Sequence, residues 1–147
     1  MYRRILVAIE NSAADQTILT HVSDLAKLTG AELLLVHVAD GWAARHFDDL
    51  NLRESEEMKA DRAYLDHLQT GLRAQGLRVH TELAMGDPAT ELVRAAETHQ
   101  ADLIAMATHG HRFLSDVVRG ATADRVRHLV KIPVLLHRAQ QPLGSVL

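Results

Sequence analysis

The residues best suited to hold a ligand lie in the segment 107–122, directly after a buried apolar run. Nine residues separate Gly110 from Gly120 in it, and a glycine lets the backbone approach a phosphate closely because it has no Cβ. Arg112 between them could neutralise phosphate charge. Thr122 offers a hydroxyl at a predicted helix start, one position after Ala121. These residues predict a nucleotide-binding or phosphate-binding loop, although both glycines could also be turn glycines with no ligand.

The loop after the first apolar run has a different composition. It begins at Glu10 and continues to Asp15 without a glycine. A dinucleotide-binding fold needs a glycine-rich turn at this point, because the pyrophosphate lies against the backbone there. No Walker motif is present elsewhere in the chain. A Rossmann dehydrogenase and a P-loop NTPase are therefore not expected.

Catalytic and metal-binding residues are sparse in the sequence. His109 and His111 flank Gly110, but two histidines with no nearby carboxylate or cysteine make a weak metal site. Ser12 and Ser115 have no evident histidine and carboxylate partners along the chain. We therefore predict no metal site, no catalytic residue and no enzyme, with a slow ATPase or phosphotransferase as the alternative of another class.

Apolar runs and helical periodicity alternate along the chain, as in an α/β sheet with crossover helices. Five strands are predicted at 4–9, 33–38, 77–83, 102–107 and 132–136. Because Pro133 has no backbone donor, the last strand should begin there or lie at an edge. Four helices carry apolar stripes with the following inward-facing residues: Ile18, Val22, Leu25 and Ala26; Leu65, Leu68 and Leu72; Ala89, Leu92, Val93 and Ala96; Ala123, Val126, Leu129 and Val130.

Chain length, composition and charge limit the classes of protein to which this sequence can belong. The 147 residues suit one domain, predicted over 1–138 with a frayed tail over 139–147. There is no cysteine, which agrees with a reducing compartment. The net charge of -3 argues against nucleic-acid binding, and no apolar stretch reaches the ~20 residues of a membrane span. The apolar run at the N-terminus is too short for a signal peptide, so a cytoplasmic location is expected.

The segment 107–122 resembles the signature of the universal stress protein family. In that signature a glycine, two residues, a second glycine, nine residues, a third glycine and a serine or threonine surround the phosphates and ribose of ATP. Gly110 and Gly120 match, whereas Ala107 and Ala121 replace the first glycine and the hydroxyl residue. Asp116 stands where members often carry a basic residue, and Glu10 replaces the usual aspartate. The resemblance extends over the whole chain, including the Gly86-Asp87-Pro88 turn and the Ile132-Pro133-Val134-Leu135 strand.

The resemblance implies a fold and a ligand site. The fold would be an open five-stranded parallel sheet of order 3-2-1-4-5 with helices on both faces, Rossmann-like and similar to adenine nucleotide alpha hydrolases. ATP, with Mg²⁺, would bind where the loops after strands one and four meet. The Val38 backbone, otherwise simply a buried strand, would lie beside the adenine. The implied binding residues are Glu10, Val38, Ala107, Gly110, Arg112, Gly120, Ala121 and Thr122.

Three functional hypotheses follow from these residues. The leading one is a non-catalytic stress-response regulatory domain, homodimeric, whose degenerate nucleotide site binds ATP weakly or not at all. The second is an ATP-dependent switch, and the third is the slow ATPase or phosphotransferase. The homodimer is expected to form through Val134, Leu135 and Leu136, because an apolar edge strand needs a partner or a cover. Other protein partners are unknown.

Overall fold

The computed structural model describes residues 1–40, 51–108 and 116–139. Strands and helices alternate along this part of the chain. Their bounds are β1 (Arg4–Ile9), α1 (Ala14–Thr29), β2 (Glu32–Asp40), α2 (Asn51–Ala74), β3 (Val79–Gly86), α3 (Pro88–Thr98), β4 (Leu103–Thr108), α4 (Asp116–Leu129) and β5 (Val134–Arg138).

The strands form one parallel sheet in the order β3-β2-β1-β4-β5. Ile5 on the central strand stands opposite Leu33 of β2 and Leu103 of β4. The chain moves outward in one direction through β2 and β3, then returns to the other side of β1 for β4 and β5. The predicted fold class is confirmed, and the order reverses between β1 and β4, where α/β folds bind ligands.

Two apolar cores lie on the two faces of the sheet. One packs under α1 and α2, and the other packs under α3 and α4. The side chains of β1 alternate between them, so Ile5 and Val7 face the first core and Leu6 faces the second. Because both faces are covered, the central strands are continuous apolar runs. Each fully buried Leu or Ile contributes about 1.5 to 3 kcal/mol relative to an exposed one.

Several predicted helix ends are confirmed. Gly30 ends α1 in a left-handed conformation, with φ of 76°, which glycine adopts without strain. At the start of α3, the Asp87 side chain accepts a hydrogen bond from the Thr90 backbone N–H, and Pro88 occupies the first helical position. Gly86 has φ of 133° and adjoins Glu91. The turn before α3 therefore requires glycine at this point.

Some details of the predicted elements were wrong. Val93 is only half-buried, and Ala95 contacts the second core instead. Leu129 is 53% exposed because it is the last residue of α4, and the following Val130 and Ile132 cover the core there.

Further predictions concern the last strand, the residues after it and the connection before α2. Pro133 immediately precedes β5, which is an edge strand, as predicted. One residue beyond β5, the Ala139 backbone N–H donates to the Thr108 carbonyl at 2.7 Å. The rest of the predicted tail, 140–147, lies outside the described residues, as does 41–50 of the predicted connection before α2.

Candidate functional site

A cavity of about 210 Å³ opens at the carboxyl ends of β1, β2 and β4. We call it the strand-end cavity. It lies at the reversal of strand order, and four residues predicted from the sequence meet there although they are distant in the chain: Glu10, Val38, Ala107 and Thr122. The other residues that line it are Ala8, Ile9, Val36, His37, Pro88, Leu92 and Met106.

The walls of the strand-end cavity are mostly apolar. Val36 and Val38 of β2 belong to or pack against the core under α3 and α4, as do Leu92 and Met106 on the opposite side. Flat aromatic rings suit such a slot, because apolar walls release water and a few polar groups at the rim fix orientation. Glu10 and Thr122 are polar groups at this cavity.

The loop that carries Glu10 is held by the carboxylate of Asp15. The backbone N–H groups of Glu10, Asn11 and Ser12 donate to Asp15 at 2.8, 2.8 and 3.2 Å. Asn11 has φ of 63°, which turns the three N–H groups toward one point. The Ser12 hydroxyl also donates to the Glu10 carboxylate at 3.0 Å. The Asp15 carboxylate therefore occupies the place that a bound anion would take in this loop. The three N–H groups that donate to it are not available to a phosphate.

Asp15 also joins this loop to α2. The carboxylate is 1% exposed, and it accepts a hydrogen bond of 2.6 Å from the Tyr64 hydroxyl. Burial, and then the hydrogen bond and charge of Asp15, raise the pKa of Tyr64 well above its usual range. Tyr64 therefore stays a donor at all ordinary pH values. Reasoning from the sequence missed this pair, and the one available signal was an aspartate at the end of the loop, just before the apolar stripe of a predicted helix.

The α3 side of the cavity is tied to α4 by an exposed ion pair. Arg125 Nη1 donates to Asp87 Oδ1 at 2.9 Å, one turn after the cavity residue Thr122. The hydrogen bonds from Arg125 and Thr90 lower the pKa of Asp87 below its usual range. Both side chains are about half exposed, so solvent screens the pair and it contributes little stability beyond the helix cap.

The residues that were predicted to bind phosphate lie partly in α4 and partly outside the described residues. The helix that was expected to begin near Ala121 begins at Asp116, so Ala121 lies in its second turn and is exposed. A hydroxyl at position 121 would therefore not lie beside the free N–H groups of α4, because these are confined to the first turn of a helix. Gly120 lies within the same helix, and Gly110 and Arg112 lie outside the described residues.

Ala107 occupies an unexpected environment. It is buried, and it belongs to the core under α1 and α2 together with Leu103 and Ala105. Ala107 is also among the residues that line the strand-end cavity. With alanine at this position the cavity still has a volume of about 210 Å³.

Three other findings on the described residues bear on function. A groove of about 530 Å³ separates α1 from α2, but it contains none of the predicted site residues. Within the described ranges, no group of three or more His, Asp or Glu side chains is placed to hold a metal ion. In the same ranges, no helix has the length and apolar character to cross a membrane.

Known proteins resemble this chain over nearly its full length. The family model described as the universal stress protein family matches residues 1–138. A universal stress protein of Methanocaldococcus jannaschii is 30% identical over 143 residues, covering 92% of this chain and 82% of the relative.

Two solved universal stress proteins with a similar fold contain adenine nucleotides. One, from Archaeoglobus fulgidus, is in complex with dAMP; it is 21% identical, with a TM-score of 0.69 over 92% of this chain and 97% of that one. Another is in complex with cAMP; it is 18% identical, with a TM-score of 0.69 over 95% and 98% of the two chains.

Proposed function

Since the chain belongs to the universal stress protein family, we propose that it is a non-catalytic stress-response regulatory domain with a weak adenine-nucleotide site. The observation that carries this proposal is the strand-end cavity. It brings together Glu10, Val38, Ala107 and Thr122 at the reversal of strand order. That is the position at which open parallel sheets bind nucleotides.

The cavity suits the base of a nucleotide better than its phosphates. Its walls are apolar, and its volume of about 210 Å³ is small. The two nucleotides held by the similar structures, cAMP and dAMP, differ in sugar and phosphate and share adenine. We infer that adenine enters between β2 and α3, beside the Val38 backbone.

The phosphates receive weaker support. Asp15 occupies the N–H groups of the loop after β1, so the phosphates must extend toward the residues after β4. Gly110 and Arg112 are the candidates there, and Ala121 supplies no hydroxyl. One missing hydrogen bond to a charged phosphate lowers affinity by about 10-fold to 100-fold, corresponding to about 1.5 to 3 kcal/mol. ATP is therefore expected to bind little better than AMP.

Titration calorimetry with AMP, GMP and ATP plus Mg²⁺ tests this proposal. We expect dissociation constants of about 0.1 to 1 mM for AMP and for ATP, corresponding to about -4 to -5.5 kcal/mol, and weaker binding of GMP. An ATP affinity at least tenfold tighter than that of AMP would favour the second hypothesis, an ATP-dependent switch. No binding of any adenine nucleotide below 1 mM would remove the nucleotide site from the proposal.

The absence of catalysis is also a proposal. His37 is the histidine among the described residues that line the cavity, and its ring nitrogens lie beside the Ile9 carbonyl and Asp61 rather than beside a hydroxyl that it could activate. The competing hypothesis is a slow ATPase or phosphotransferase. Hydrolysis of ATP above background that is lost on Arg112→Ala would establish that hypothesis instead.

A homodimer through β5 forms the last part of the proposal. Leu136 on this edge strand is 44% exposed, and Val134 and Leu135 are half-buried. An uncovered apolar edge favours pairing with a second copy. We expect sedimentation equilibrium at about 20 µM to give a dimer, and Leu136→Lys to give a monomer. Leu28→Lys, at an exposed leucine of α1, is the matched control and should remain dimeric. A monomeric unmodified chain would contradict the proposal.

A further inference from the structure

The groove between α1 and α2, which we call the inter-helix groove, is bounded at each end by a hydrogen bond between the two sides. At one end the Tyr64 hydroxyl donates to Asp15 at 2.6 Å. At the other end Lys27 Nζ donates to Oε1 of Gln75, the residue after α2, at 3.0 Å. Between these bonds a space of about 530 Å³ separates the helices. This volume lies within the range of small-molecule sites.

The floor of the inter-helix groove carries a buried hydroxyl. Ser23 lines the groove and is 5% exposed. Two other hydroxyl residues of α1, Thr20 and Thr29, donate to the backbone carbonyl four residues earlier, each at 2.8 Å. Ser23 makes no such bond, and its hydroxyl has no hydrogen-bond partner among the described residues. Buried polar groups are nearly always paired, so this hydroxyl remains available to a molecule in the groove.

Apolar side chains and one glycine form much of the remaining lining. Leu19 of α1 and Leu72 of α2 are buried, and Leu68 packs against the same core. Gly71, on α2, also lines the groove, and a Cβ at this position would stand in open space. The groove therefore has both an apolar surface and the room for a ring or a short alkyl chain to contact it.

The charged side chains of the inter-helix groove favour a cationic ligand. Two carboxylates line it, those of Asp15 and Asp24, whereas no lysine or arginine of the described residues does. The Asp15 carboxylate already accepts four hydrogen bonds. Asp24 is exposed and forms no ion pair within the described part of the chain. Lys27 is held by Gln75 at one end of the groove, so the charge of Asp24 can pair with a cation from solution.

We propose that the inter-helix groove binds a small organic amine with an apolar body. The apolar body contacts Leu19, Leu68 and Leu72. The ammonium group donates to the Ser23 hydroxyl and pairs with the Asp24 carboxylate. None of the described residues lines both this groove and the strand-end cavity. The proposal therefore goes beyond the nucleotide function and does not depend on it.

The test uses three probes that share a naphthalene ring and differ in charge: naphthylethylamine, naphthylethanol and naphthylacetate. NMR titration of the unmodified chain at low salt and about pH 8, where histidine side chains usually carry little charge, measures each dissociation constant. We expect about 1 mM for the amine, which is typical of a probe of this size. The alcohol should bind about fivefold more weakly and the carboxylate more weakly still. The backbone amides of Ser23 and Gly71 should shift on binding.

Three variants identify the groove as the binding site. Gly71→Leu fills the open space and should weaken amine binding at least about tenfold. Ser23→Ala removes the hydroxyl and should weaken it about fivefold. Asp24→Asn should reduce the preference for the amine over the alcohol to less than about twofold. The matched controls are Ala63→Leu and Asp66→Asn, at exposed positions of α2 outside the groove, and both should bind the probes as the unmodified chain does.

Urea unfolding without a probe separates a ligand-binding role of Ser23 from a structural one. Because the hydroxyl has no partner in the described part of the chain, Ser23→Ala should leave the unfolding midpoint unchanged or raise it. Circular dichroism should show Gly71→Leu folded, and if it is not, Ser23→Ala and Asp24→Asn decide. A lower midpoint of Ser23→Ala, equal affinity for the three probes, or unchanged amine binding in a folded Gly71→Leu variant would overturn the proposal.

Discussion

Replacement of Asp15 by alanine is expected to lower the free energy of unfolding by about 3 kcal/mol. The carboxylate is buried and accepts hydrogen bonds from three backbone N–H groups and from the Tyr64 hydroxyl. Removal leaves four donors without their acceptor. Each unsatisfied buried donor costs about 1 to 3 kcal/mol, although water entering the space left by the carboxylate recovers part of this. Urea unfolding followed by circular dichroism measures the difference.

Matched variants separate the hydrogen bonds of Asp15 from a general effect of changing α1. Asp24→Ala alters an exposed aspartate of the same helix and should change stability by less than about 0.5 kcal/mol. Tyr64→Phe removes one donor together with its bond and should cost about 1 kcal/mol. A loss below about 1 kcal/mol for Asp15→Ala would show that water replaces the carboxylate without difficulty. In that case the loop would not depend on Asp15 for its conformation.

Val38→Trp is expected to weaken AMP binding by at least about 30-fold, corresponding to about 2 kcal/mol. Val38 lines the strand-end cavity, and its side chain packs against the core under α3 and α4. An indole in its place would occupy the small space that the adenine ring needs. Because the site is half-buried and opens to solvent, the larger side chain can extend into the cavity, and we expect the fold to be retained. Calorimetry with AMP measures the change in affinity.

The control for this substitution is Val93→Trp on α3. Val93 is half-buried, as Val38 is, but it does not line the cavity, so AMP should bind its variant within about twofold of the unmodified chain. Circular dichroism should show both variants folded. AMP binding unchanged in a folded Val38→Trp variant would place the nucleotide elsewhere, and the groove between α1 and α2 would then be the next surface to test.

The elements of the fold were predicted from local pattern with uneven accuracy. β1 runs from Arg4 to Ile9, as predicted, because a central parallel strand is apolar on both faces and ends abruptly at polar residues. The two edge strands were placed about two residues too early, since one side of each is open and their patterns alternate. Asp87 and Pro88 located the start of α3 correctly because the cap and the first turn use local chemistry.

The candidate site was predicted only in part. Glu10, Val38, Ala107 and Thr122 were selected through the family resemblance, and the structure places all four around one cavity. Their role in binding stays a prediction. The start of α4 was misplaced because the prediction set it beside Gly120, although Ser115 and Asp116 are residue types that favour a helix start.

The amino-acid sequence by itself determined the alternation of strands and helices, the two-sided burial of the central strands and the family. These properties follow from hydrophobic periodicity and from motifs within a few residues of each other. Only the tertiary structure decided how the loop beside the cavity is held. Asp15 meets Tyr64 and His37 meets Asp61 across separations of 49 and about 24 residues, and no local pattern specifies such pairs. They arise because the sheet order brings the end of β1 beside β2 and packs α2 over both.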